Sequence, residues 1–239
     1  MNLEDFKKEF QNQSKYINYE LNDEKIEKIY NYMNKMIEWN EKINLTAITE
    51  PTEMIEKHFI DSLTALKYIK DDFSVIDVGT GAGLPGIPLA ICSNAKFTLL
   101  DSLNKRINFL KEVKEDIGLN NVELEHGRAE DFAKIKENRE GFDIAISRAV
   151  APMNVLVEYL LPFVKVGGKV ICMKGPKGVE ELNQINKGIE ILGGKIEKIE
   201  EIKIGKEDLE RKIIIINKIK NTPSKYPRKA GIPTKEPLK

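Results

Sequence analysis

The sequence predicts an α/β fold, a doubly wound and mostly parallel sheet preceded by a helical extension. Three observations carry this reading. From Ser74 onward, short apolar runs alternate with segments of helical period. A Gly-rich turn joins the first of these runs to the helix that follows it. Before Ser74 the apolar residues fall at helical steps of three and four.

Residues 22–42 place Ile26, Ile29, Tyr30, Met33 and Ile37 on one helix face. Residues 52–69 repeat the pattern with Ile55, Phe59, Leu63, Leu66 and Ile69, behind a Pro51 suited to a helix start. Asn40 to Thr46 forms the bend between them. Val75 to Val78 reads as a short buried strand, with a helix from about Gly86. Phe97 to Leu100 is a second strand, ending in Asp101, and residues 104–117 are helical. Val122 to Leu124 and Phe142 to Ser147 are the third and fourth strands. Pro152 to Leu161 is a helix, Lys169 to Met173 a fifth strand, and residues 178–192 one further helix. Residues 195–204 and 211–217 follow each other without a helix, which predicts an antiparallel hairpin at the sheet edge. Four prolines and five basic residues over 221–239 predict a flexible tail. The expected organisation is therefore a helical extension over 1–73, the α/β domain over 74–220 and a basic tail over 221–239.

The 239 residues, 41% hydrophobic and 32% charged, suffice for a large core with a soluble surface. Apolar runs of a few residues, such as Ile213 to Ile216, are far below the roughly 18 needed to span a membrane. The first residues carry no apolar stretch of the kind found in a signal peptide. Two cysteines, Cys92 and Cys172, make neither a disulfide framework nor a four-ligand zinc site, and no metal is expected. These features predict a reduced, cytoplasmic protein, expected as a monomer without membrane attachment. The formal net charge is zero, but residues 217–239 carry seven basic residues against one acidic. That local patch, with Tyr226, suits a nucleic-acid backbone.

The richest segment is Asp77-Val78-Gly79-Thr80-Gly81-Ala82-Gly83-Leu84-Pro85-Gly86. It lies at the carboxyl end of the first strand, where open α/β sheets bind ligands. Glycines there let a ligand approach bare backbone. A dinucleotide fingerprint would want glycine where Leu84 stands. Asp77 is awkward beside a pyrophosphate but suits a cationic ligand such as S-adenosylmethionine. Asp101 is placed to accept from ribose hydroxyls in either ligand. Glu130, after the third strand, could read an adenine, although a first-turn acid also suits a helix dipole. Three acids at three strand ends favour S-adenosylmethionine, while a nicotinamide oxidoreductase remains the rival reading. A methyltransferase acting on a small molecule is another.

The buried settings expected for Cys92 and Cys172 argue against a nucleophilic cysteine. After the fourth strand, Ser147-Arg148-Ala149 replaces the Asn/Asp-Pro-Pro pattern of many amino-methylating enzymes. A site without a base suits guanine N7, whose in-plane lone pair attacks without losing a proton. Arg148 and Lys174 both follow strands, and either could contact a phosphate or guanine O6.

These segments resemble the bacterial 16S ribosomal RNA guanine-N7 methyltransferases, the glucose-inhibited division protein B family. The resemblance runs through Trp39 to Thr46, residues 77–90, Asp101 to Arg106, Arg128-Ala129-Glu130, Ser147-Arg148-Ala149 and Met173-Lys174-Gly175. It implies a seven-stranded, Rossmann-like methyltransferase sheet with an N-terminal helical extension. It also implies S-adenosylmethionine contacts at Gly79, Leu84, Asp101, Ser102, Ala129, Glu130 and Arg148, beside Asp77, Gly81 and Gly83 of the loop. The implied substrate is 16S rRNA or the small ribosomal subunit. Motif match and charge place Asn44, His58, Arg148 and Lys174 on the RNA side.

Overall fold

Strand residues that face both ways into apolar surroundings organise this chain. The computed structural model describes residues 1–17, 19–205 and 208–238. Helices α1 (Leu3–Ser14) and α2 (Asp23–Ile43) start at Asn2 and Asn22, whose side chains accept from the N–H groups of Asp5 and Lys25. Asn44 ends α2 in the left-handed conformation (φ +43°). Next come α3 (Pro51–Met54), a π-helical stretch Ile55–Ile60 and α4 (Asp61–Leu63). The single helix predicted over 52–69 is thus broken by a wider π turn, a feature common at functional sites. The turn leaves Ile55, Phe59 and Ile60 in the core while His58 and Asp61 reach the carboxyl edge of the sheet.

The sheet then follows. It comprises β1 (Ser74–Val78), α5 (Gly86–Cys92), β2 (Lys96–Asp101), α6 (Asn104–Asp116), β3 (Val122–His126), α7 (Ala129–Phe132) and β4 (Phe142–Arg148). It continues through α8 (Met153–Leu160), β5 (Val164–Lys174), α9 (Gly178–Asn183), α10 (Asn186–Ile191), β6 (Gly194–Ile204) and β7 (Leu209–Lys218). A last turn of helix, α11, spans Ile232–Lys235. The seven strands lie in the order β3-β2-β1-β4-β5-β7-β6. The first five are parallel, and β7 is antiparallel to both β5 and β6. The predicted hairpin is present, with β6 at the edge and β7 inside.

Alternation along each strand splits the core into two layers. Val75, Leu99, Ile144, Ile171 and Ile215 face one layer, and Ile76, Leu100, Ala145, Cys172 and Ile216 the other. The first layer also holds Phe6, Phe10, Ile29, Tyr32 and Met36, so the N-terminal helices share a core with the sheet. The helix predicted over 178–192 is two helices. The break falls at Ile185 (φ −128°, ψ +9°), whose side chain turns fully into the second layer.

Residues 221–238 depart most from expectation. The predicted flexible tail packs along α8. Tyr226 is buried, and Arg139 donates to the carbonyls of Thr222, Pro223 and Tyr226. Arg228 binds Glu158, which is completely buried, through Nε, Nη2 and its own backbone N–H. Lys218, counted above as part of the basic end, is buried against Glu140, Thr222 and the Leu161 carbonyl. Burial holds its ammonium down at about 8. Composition suggested disorder because it cannot show that two acids inside the domain await two of these cations.

Candidate functional site

Strand order reverses between β1 and β4, which opens a crevice at their carboxyl ends. The glycine loop leaves β1 on one side of it, and Arg148 closes β4 on the other. Ser147 Oγ donates to the Val78 carbonyl and fastens the two strand ends together (2.8 Å).

Gly79, Gly81 and Gly83 all have positive φ, at +71°, +62° and +96°. The N–H groups of Gly79 and Thr80 donate to the Leu100 carbonyl, and that of Gly81 to Asp101 Oδ2 (2.9 Å). At Gly83 a Cβ would come within 2.6 Å of Ile87, 2.8 Å of Leu110 and 3.1 Å of the Tyr32 hydroxyl. That hydroxyl donates to the Ala82 carbonyl (2.5 Å), so α2 props the loop from below. Tyr32→Phe should leave this buried carbonyl unpaired, at about 2 kcal/mol. A fall in melting temperature of roughly 6 °C is expected, with weaker cofactor binding; an unchanged Tm would remove the prop from the account.

Asp77, singled out from sequence for a cationic ligand, is fully buried behind the loop and lines none of the cavities described below. Its Oδ2 accepts from Thr80 Oγ1 (2.7 Å) and from Gly86 N–H (2.9 Å), which clamps the loop, while Oδ1 has no hydrogen-bond partner among the described residues. Burial pushes this carboxyl up to about 7, against the pull of Thr80, Gly86 and Arg148. The unfolded chain loses this proton near pH 4, so the folded protein holds an extra proton between pH 4 and about 7. Asp77 therefore makes stability fall as pH rises through that window. The neutral Asp77→Asn variant should show a shallower fall in Tm from pH 5 to 7.5; parallel curves would contradict this.

Three cavities follow the crevice. One of about 440 Å³ is lined by Gly79, Gly81, Leu84, Asp101, Ser102 and Arg148, among others. A smaller one, about 130 Å³, shares Gly79, Asp101 and Ser102 with it and adds Ala129 and Glu130. The third, about 820 Å³, is lined by Lys57, Asp61, Lys174, Glu181 and Arg211. His58, Arg148 and Ala149 line both large cavities and form the wall between them. Ala149 takes an unusual φ of +57° there. Of the residues singled out from sequence, Asn44 lies outside this group. It is exposed and lines none of the three cavities, because it serves as the left-handed cap of α2.

Asp101 is also occupied. Its oxygens accept from Gly81 N–H, Leu103 N–H and Arg106 Nη1. A carboxylate offers about four acceptor positions, so room for a further donor remains. Glu130 Oε1 accepts from the N–H of Gly231 (3.0 Å), which ties the C-terminal segment to the floor of the small cavity.

On the other side, Asp61 is buried and takes two cations, Arg148 Nη1 on Oδ2 (2.8 Å) and Arg211 Nε on Oδ1 (3.0 Å). Arg148 Nη1 also donates to the Lys57 carbonyl. His58 Nε2 meets Thr46 Oγ1 (2.8 Å), and Thr46 is itself held by Asn40 Oδ1. Burial, and then the Arg148 charge, hold this imidazole down at about 4, so it is neutral at ordinary pH. Lys174 Nζ binds the Ala151 carbonyl and Glu181. Asp61, Glu181, Arg211, Tyr32 and Arg228 were missed from sequence. The His58–Asp61 spacing, one helical turn, and the nearness of Glu181 to Lys174 were the local signals; Tyr32, Arg211 and Arg228 contact residues far away along the chain.

Cys92 and Cys172 are both buried, with thiols pushed up to about 12 by burial. Among the described residues no cluster could hold a metal ion, and no helix is long and apolar enough to cross a membrane.

The family profile of rRNA small subunit methyltransferase G matches residues 25–214. A ribosomal RNA small subunit methyltransferase G from Clostridium perfringens is 54% identical over 228 residues, spanning 93% of this chain and 95% of that protein. One from Alkaliphilus metalliredigens is 50% identical over 226 residues, with the same shares. Among solved structures, a SAM dependent methyltransferase from Aquifex aeolicus superposes with a TM-score of 0.54 at 20% identity, covering 72% of this chain and 96% of that one. TYW2 from P. horikoshii in complex with MeSAdo gives 0.55 at 17% identity, over 66% and 61%. These two likenesses concern the fold. The sequence relationships, which run through the glycine loop and the Arg148 wall, establish that the chain belongs to the ribosomal RNA small subunit methyltransferase G family.

Proposed function

We propose that this protein transfers the methyl group of S-adenosylmethionine to N7 of a guanine in 16S ribosomal RNA, in the cytoplasm. The observation that carries the reading is the pair of large cavities sharing one wall of His58, Arg148 and Ala149, in a chain of this family.

The loop side fits the cofactor. Bare glycine backbone at Gly79 and Gly81, the Leu84 side chain and the acids Asp101 and Glu130 line adjoining spaces. The buried Asp77 braces the loop from beneath through Thr80 and the Gly86 N–H. In this reading Gly79, Gly81, Leu84, Asp101, Ser102, Ala129 and Glu130 hold the cofactor directly, while Asp77 and Gly83 shape the loop. When bound, S-adenosylmethionine supplies an electrophilic methyl group.

The larger cavity then takes the base. Guanine N7 carries an in-plane lone pair and gives up no proton, so the site needs no general base. His58 accordingly stays neutral and serves as a wall residue held by Thr46. Arg148 lies between the two cavities, where its guanidinium can donate to O6 beside N7 and orient the base. Lys57, Lys174, Lys177 and Arg211 surround the cavity with positive charge suited to the RNA backbone.

The test is transfer of labelled methyl to unmodified small-subunit RNA, offered naked and as ribosomal subunits, with the product nucleosides identified by mass spectrometry. Label in 7-methylguanosine is the expected result. Label in another nucleoside, or none, would overturn the assignment.

A further inference from the structure

Two carboxylates line the cavity of about 820 Å³, Asp61 and Glu181, and they differ in what they have left to offer. Both oxygens of Asp61 are taken by arginines. Glu181, on α9, uses only Oε2, which accepts from Met153 N–H (2.9 Å) and Lys174 Nζ (2.7 Å). Its Oε1 accepts no hydrogen bond from any described residue. Lys174 is itself anchored on the Ala151 carbonyl, so the carboxylate is held by one oxygen while the other has no donor among the described residues.

We propose that Glu181 is the residue that selects guanine, its Oε1 accepting from N1–H and the 2-amino group of the target base. The inference rests on the guanine-N7 reading above. N7 must face the cofactor, so the base turns its opposite edge, with N1 and the 2-amino group, toward the far end of the cavity. Glu181 lines only the larger cavity, whereas Arg148 stands in the wall shared with the cofactor side. At that far edge guanine shows two donors, and an ionised carboxylate is an acceptor only. Adenine shows an acceptor at N1 and no 2-amino group, which would leave the carboxylate facing a lone pair. Discrimination then comes from a site built to pair with a donor and left unpaired by the wrong base.

The full-length wild type and Glu181→Gln are compared on small-subunit RNA carrying either guanine or inosine at the target position. Inosine keeps N7, O6 and N1–H and lacks only the 2-amino group. The wild type is expected to favour guanine by about tenfold or more in kcat/KM, the worth of one hydrogen bond to a charged acceptor. In Glu181→Gln the amide oxygen stays with the two donors, Met153 N–H and Lys174, and an NH₂ faces the base. Its kcat/KM on guanine should fall about 100-fold, with one favourable charged bond lost and a donor set against a donor, and its guanine-to-inosine ratio should collapse toward one. S-adenosylmethionine affinity, read by calorimetry, should stay at the wild-type value and shows that the variant is folded. Equal loss on both RNAs with the ratio preserved would overturn the proposal and leave Glu181 as the tether of Lys174. Wild-type activity of Glu181→Gln on guanine would overturn it as well. If the wild type placed no methyl on either base, the guanine-N7 reading would fail first and this one with it.

Discussion

Asp61→Ala is expected to lower the melting temperature by about 9 °C and methyl transfer by about two orders of magnitude. The stability figure follows from the pairing. Asp61 is buried between the guanidiniums of Arg148 and Arg211, and removing one member of a buried pair costs about 3–5 kcal/mol. Both arginines keep some access to water, which favours the lower end of that range. At about 3 °C per kcal/mol for a chain of this size, the lower value gives the stated shift. The activity loss has a different source. Arg148 forms the wall between the two large cavities, and freeing its guanidinium misplaces whatever it orients; a displacement of about 1 Å costs roughly 100-fold. Calorimetry and the labelled-methyl assay read the two effects separately. A rate within about twofold of wild type would show that Arg148 needs no anchor.

Arg228→Ala should act from the other end of the chain. Glu158 is completely buried, and Arg228 supplies every hydrogen bond its carboxylate receives among the described residues. The variant leaves that charge enclosed and unpaired, at about 3–5 kcal/mol, which corresponds to roughly 10 °C in Tm. Arg228→Lys should recover little, because an ammonium cannot reproduce the forked contact. Release of residues 221–238 would also withdraw the Gly231 N–H from Glu130, so weaker S-adenosylmethionine binding is expected beside new protease cleavage in this segment. Undiminished cofactor affinity after such release would show that the segment stabilises the domain without shaping the cofactor site. The expectation of a flexible RNA-binding arm changes accordingly. Arg228 is committed to Glu158 and the Tyr226 ring is buried, whereas Lys225, Lys229 and Lys235 remain exposed for a polyanion.

Some of the site was legible because it is local. Period-2 and period-3.6 patterns fall within ten or twenty residues, so β1, β2, β4 and β7 and the helices α2, α5, α6 and α8 follow from neighbours in the chain. The glycine loop was legible for the same reason, since Gly79, Gly81 and Gly83 take conformations that their own residue type permits. Boundaries that depend on distant packing were misread. The π turn over Ile55–Ile60 and the break at Ile185 each place side chains against partners that periodicity does not contain.

Sequence by itself determined the doubly wound order of elements, the loop at the end of β1, the acids at the ends of β2 and β3 and Arg148 at the end of β4. Only the tertiary structure decided what those groups touch. It turned Asp77 behind the loop, spent Asp101 on Gly81 and Arg106, joined Asp61 to Arg148 and Arg211 across 87 and 150 residues, and docked the C-terminal segment through Arg228. The physical reason is the range of the interaction. Backbone conformation and apolar periodicity are set by nearby residues, whereas a buried charge is satisfied by whichever counter-charge the completed fold carries to it.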